Sequence, residues 1–127
     1  MPEPLDDVTI ADGERLLHRI RPDDVHIDAD GQCRPSSAAF RYINNVTSVD
    51  IASLTTPETT LEGYPAYRLV EINAGTVRSL GCRIVRDPQP DNLAHALIYG
   101  NAPDGRLTKS QAKQVANRCR WVTVDPR

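Results

Sequence analysis

The chain has 127 residues, of which 39% are hydrophobic and 5% aromatic, and a formal net charge of −2. That is the size of one domain, large enough to fold without a metal or a disulfide. No apolar run approaches the ~20 residues of a membrane span. The start, Met1-Pro2-Glu3-Pro4-Leu5-Asp6-Asp7, lacks the basic and apolar regions of a signal peptide, so a cytoplasmic protein is expected.

Three widely spaced cysteines, Cys33, Cys82 and Cys119, fit free thiols better than a disulfide framework. The basic residues are 13 Arg and 2 Lys among much Asp, Ala and Pro, a flavour common in GC-rich bacteria. Charge is uneven: residues 1–64 balance at −7 and residues 65–127 at +5. A basic C-terminal half points to an anionic partner.

Residues 1–12 read as a loose arm. Asp12–Ile20 fits either a short helix capped by Asp12 or a strand over Leu16–Ile20, ended by Pro22. Val25–Asp28 alternates as a strand with Val25 and Ile27 inward. Asp30-Gly31 makes a turn. Ser36 and Ser37 open a short helix reaching about Tyr42, and Asn44-Asn45 is a loop.

Ser48–Leu54 reads as a strand with Val49 and Ile51 inward. Thr56-Pro57-Glu58 starts a short helix that Gly63 stops. Tyr67–Asn73 is a strand with Val70 and Ile72 on one face and Tyr67, Leu69 and Glu71 on the other. Gly75–Leu80 is a helical turn closed by Gly81, and Cys82–Arg86 a strand. Asp87–Asn92 is a loop. Ala94–Tyr99 is the most apolar strand and is expected at the centre of the sheet.

Arg106–Arg120 carries an apolar stripe of Leu107, Ala112, Val115, Ala116 and Cys119, which predicts one long C-terminal helix. Trp121–Val124 is a final strand or an anchor. The fold class is therefore α+β. A single domain is expected, with a mixed five- to six-stranded sheet, short helices and that long helix.

Three features carry chemistry. Arg34-Pro35-Ser36-Ser37-Ala38-Ala39-Phe40-Arg41 puts two hydroxyls at a helix start between two arginines, a pattern suited to a phosphate or carboxylate ligand. The competing reading is plain capping by Ser, with Arg34 and Arg41 solvated or paired to Asp28 or Asp30. His95 interrupts the most apolar strand and is either an acid–base or ligand contact or a structural histidine. The predicted helix presents Lys109, Lys113, Asn117 and Arg120 as a polar stripe, with Arg106 before it. That stripe suits a nucleic acid or an acidic protein, or is an ordinary solvated face.

Glu71 fits a cross-strand ion pair, with Arg83 or Arg86 as partner, or a catalytic carboxylate. His18 and His26 form no ligand pair. Neither a metal site, nor a glycine-rich phosphate loop, nor a nucleophile elbow is written in the chain. No cofactor and no membrane partner is expected.

The segments Leu16–Ile20, Gly31-Gln32-Cys33-Arg34-Pro35-Ser36-Ser37, Ser48–Glu58 and Tyr67–Ile72 resemble, in order, those of the RES-type toxins, members of the ADP-ribosyltransferase-like group that cleaves or uses NAD. The resemblance implies that Arg19 and Arg34 lie near a dinucleotide. Arg34–Arg41 and Ser48–Leu54 are also similar to segments of small bacterial proteins that carry no functional assignment. Two functions are thus expected. The leading one is a small binding or accessory protein engaging an anionic partner; the alternative is a small enzyme handling NAD or nucleotides.

Overall fold

The structure, a computed structural model, describes residues 5–42 and 46–124. The first four residues of the expected arm and the Asn44-Asn45 loop lie outside them. In chain order the elements are β1 (Arg15–Ile20), β2 (Val25–Ile27), β3 (Cys33–Pro35), β4 (Thr47–Ile51), α1 (Pro57–Thr60), β5 (Arg68–Asn73), α2 (Ala74–Ser79), β6 (Arg83–Arg86), β7 (His95–Tyr99), α3 (Lys109–Arg118) and β8 (Arg120–Val122). Short 3₁₀ turns occupy Pro22–Asp24, Ser37–Phe40 and Ala52–Leu54.

Six strands form one sheet in the order β6-β7-β4-β1-β5-β8, and β2 with β3 forms a separate ribbon. Every pairing is antiparallel. The sheet is therefore not mixed. Parallel neighbours need crossovers of a dozen residues or more, usually helical, and α1 and α2 have only 4 and 6 residues.

Leu16 and Ile20 of β1, Val49 and Ile51 of β4, Val70 and Ile72 of β5, and Ala96 and Ile98 of β7 point to one core. Ala112, Val115 and Ala116 of α3, Ala74 and Val77 of α2, and Phe40 cover it. On the opposite face Leu17 and Leu69 are also buried, beside the 52–67 segment.

The last helix is shorter than its apolar stripe suggests. It begins at Thr108, whose hydroxyl accepts from Gln111 N at 3.1 Å, while Gln111 Oε1 accepts from Thr108 N at 3.0 Å. This reciprocal capping box fixes the first turn. It ends at Arg118; the next residue, Cys119, is extended and leads into β8 at Arg120. Leu107 and Cys119 are core residues outside the helix.

Other elements depart from expectation for local reasons. Ile27 is 66% exposed, because among the described residues nothing covers the outer face of the β2–β3 ribbon. The strand after Val46 stops at Ile51, and Ala52–Leu54 turns away. The central strands are β1 and β4, with β7 one place in from the edge. Residues 6–12 are not a loose arm. Arg78 holds Asp6 at 3.1 Å and Asp12 at 2.7 Å, Asp7 N donates to Ile84 O at 2.8 Å, and Ile10 is buried. Among the described residues, no helix is long and apolar enough to cross a membrane.

Two buried details set stability. His18 is enclosed, with Nε2 at 2.6 Å from Ala39 O and Nδ1 at 2.7 Å from Ser48 O. Burial lowers its proton affinity below the usual 6.5, outweighing the two carbonyls, which act in the opposite sense. The unfolded chain therefore takes up this proton first, and stability is lost as pH falls below 6.5. The expected result is a urea midpoint that drops over that range, and drops less in His18→Gln. An equal drop in both chains would remove His18 from the explanation.

Gly100 follows β7 where the backbone meets the Arg106-Leu107 turn. A Cβ there would lie 2.3 Å from Leu107 Cα and 2.7 Å from Arg106 O. Gly100→Ala must push the turn off the sheet and should cost about 1–3 kcal/mol, measured by urea unfolding.

Candidate functional site

The cleft face of the sheet is built by alternation. Leu17 pairs with Asp50, and Asp50 with His95, so the three form one row across β1, β4 and β7. Arg19 and Ser48 share that face. Here they border a cleft of about 320 Å³, within the range of small-ligand sites. A wider groove along β8 lies over Leu61, Pro65 and Trp121, with Glu58, Glu62 and Arg68 on its borders.

Two arginines at the cleft are each stacked on a tyrosine. The Arg19 guanidinium sits 4.1 Å from the Tyr64 ring centre and Nη1 donates to Thr60 O at 3.2 Å. Arg21 sits 4.2 Å from the Tyr42 ring centre. Tyr67 packs at a tilt against Tyr64, with centroids 5.0 Å apart. Stacking holds each guanidinium plane and leaves edge N–H groups for an anion.

The acidic and titratable groups have separate tasks. Asp50 is buried and accepts from Thr60 Oγ1 and Asn92 Nδ2, both at 2.9 Å, so both its oxygens are engaged. Tyr42 Oη donates to Asp24 at 3.2 Å, and burial, then the Asp24 charge, pushes its phenol up to about 12. His18 forms part of the wall, stacked on Phe40 at 4.9 Å. His95 places Nδ1 at 3.0 Å from Asp87 Oδ2 and 3.1 Å from Asp87 O.

Of the ligand-site residues expected from sequence, only His95 borders this cleft. Arg34 Nη2 donates to Ala116 O at 3.2 Å and to Asn117 O at 2.8 Å, the last carbonyls of α3. Arg41 Nε donates to Leu107 O at 2.7 Å. Ser36 caps the 3₁₀ turn by accepting from Ala38 N at 3.1 Å, and Ser37 is the first residue of that turn. Glu71 makes a cross-strand pair, but with Arg15 at 2.9 Å and Arg120 at 3.5 Å, not with Arg83 or Arg86.

The expected basic stripe is divided. Lys109, Lys113 and Asn117 are exposed on α3. Arg106 precedes the helix and donates to Asp104 at 2.6 Å and Tyr42 O at 3.3 Å. Arg120 lies on β8 against Glu71. Among the described residues no three His, Cys, Asp or Glu side chains group as a metal site would.

Sequence reasoning missed Arg21, Tyr42, Asp50, Tyr64 and Tyr67. One signal in the sequence could have found part of it: Asp50 interrupts an apolar strand as His95 does. The three of 4 tyrosines that line the cleft come together only in the fold. The arrangement can hold an anion on two guanidinium groups, stack a flat ring on tyrosine, and exchange a proton through His95. No family model, curated protein or solved structure matches the chain.

Proposed function

We propose that this protein is a small-ligand binding domain whose cleft takes an anion of the nucleotide class. The observation that carries the reading is the pair of arginine–tyrosine stacks, Arg19 on Tyr64 and Arg21 on Tyr42. A guanidinium already held flat on a ring loses little freedom when it forms a bidentate contact to phosphate. Tyrosine faces suit a base, since every base offers a π-face. The volume of about 320 Å³ fits a mononucleotide. The resemblance of segment order to the ADP-ribosyltransferase-like toxins implies Arg19 and Arg34 near a dinucleotide; Arg19 borders the cleft, whereas Arg34 is bound to the last carbonyls of α3.

Calorimetric titration with AMP, ADP, ADP-ribose and NAD is the test. One or more should bind and raise the melting temperature. Arg19→Ala and Arg21→Ala should each weaken binding about tenfold, roughly 1.4 kcal/mol. Silence from all four ligands ends this reading.

A second reading adds a larger anionic partner, an acidic protein or a nucleic acid, on α3. It is favoured by Lys109 and Lys113, both exposed on a helix that contains no acidic residue. Gel shifts with duplex DNA and single-stranded RNA should show salt-sensitive binding. The double variant Lys109→Glu/Lys113→Glu should remove it. Binding that survives this reversal moves the contact elsewhere.

A further inference from the structure

We propose that the cleft hydrolyses a phosphate ester of its ligand, with His95 as general base and Asp87 as its positioning residue. The inference rests on the nucleotide-class reading above.

The other proton-accepting groups of the cleft are engaged. Asp50 has both oxygens occupied by Thr60 and Asn92. His18 has both ring nitrogens against carbonyl oxygens. The Tyr42 phenol is pushed up to about 12 by burial. His95 remains. Its Nδ1 faces the Asp87 carboxylate and carbonyl at 3.0 and 3.1 Å, which assigns the proton to Nδ1 and the lone pair to Nε2. Among the described residues nothing hydrogen-bonds Nε2. The side chain is 19% exposed and borders the cleft, while its strand neighbours Ala96 and Ile98 fill the core. A carboxylate behind the far nitrogen of an accessible imidazole is the arrangement that orients a base and steadies the imidazolium it becomes.

The step balances with water alone. A water oxygen bonds to phosphorus as Nε2 takes one of its protons. The ester P–O bond breaks and its electron pair leaves with the departing oxygen. The proton then passes from the imidazolium, through solvent, to that oxygen, restoring neutral His95. Arg19 and Arg21 face the charge on the non-bridging oxygens. Among the described residues, Asp87 from the turn after β6 meets His95 directly, and the charged groups that line the cleft with it are Asp50 from β4 and Arg19 and Arg21 from the β1 side.

The probe is the p-nitrophenyl ester of thymidine 5′-monophosphate, followed by release of thymidine monophosphate from the full chain. Release should be catalytic. His95→Gln should lose about 100-fold or more in kcat. Asp87→Asn should slow kcat about tenfold with KM little changed, because the imidazole loses the carboxylate that orients it, and Asp87→Glu, which restores a carboxylate, should recover most of that rate. A merely structural Asp87 would not separate kcat from KM in this way. Undiminished turnover in His95→Gln overturns the proposal. Should that variant fail to fold by circular dichroism, His95→Asn decides, and undiminished turnover there overturns the proposal. Calorimetric binding of thymidine monophosphate without ester hydrolysis overturns it while the binding reading stands. Neither binding nor hydrolysis ends both.

Discussion

One face of β1 packs into the core and the other lines the cleft, and the rest of the molecule depends on its keeping one register. Leu16 and Ile20 lie in the core, Leu17 and Arg19 face the cleft, and His18 is buried where the two meet. The strand is held between β4 and β5 by pairings that run from Arg15↔Asn73 to Ile20↔Arg68. Side-chain direction has period two, so a slip of one residue exchanges the faces. Arg19 would then enter an apolar core at several kcal/mol, and His18 would lose its two carbonyl partners. One alternation thus positions the core and the cleft together.

The same alternation explains what could be read in advance. Val70 and Ile72 opposite Leu69 and Glu71, and Thr56-Pro57-Glu58 at a helix start, are local patterns with local causes. Failures came where a pattern reports burial and not hydrogen bonding. Leu107 and Cys119 extend the apolar stripe of α3 in phase, yet one belongs to a loop and the other to the approach to β8. Ile27 alternates with its neighbours, but among the described residues no layer covers that side of the two-stranded ribbon. β3 is three residues ending at Pro35 and offers no periodicity to detect.

The cleft was less legible than the fold because its parts come from separate stretches. Tyr42, Tyr64 and Tyr67 meet Arg19 and Arg21 only after β1, β4 and β5 are in register. Arg34 and Arg41 show the complementary difficulty. A guanidinium donates as readily to a backbone carbonyl as to a phosphate, and sequence does not say which acceptor comes first. Here the carbonyls of Leu107, Ala116 and Asn117 do. Glu71 was identifiable as a pairing residue from its strand, but its partners depend on which strands flank β5, and those are β1 and β8.

Those arginine contacts join segments far apart in the chain. Arg41 ties one end of the 33–41 segment to the turn before α3, and Arg34 ties the other end to the helix's last carbonyls. Trp121 Nε1 donates to Cys33 O at 2.9 Å just beyond. The segment lies along α3 as a brace fixed at both ends. Neither piece can detach alone without stripping charged donors from their acceptors. Residues 33–41 and 108–121 therefore belong to one cooperative opening unit, whose backbone amides exchange with solvent together although residues 42–107 lie between them in the chain.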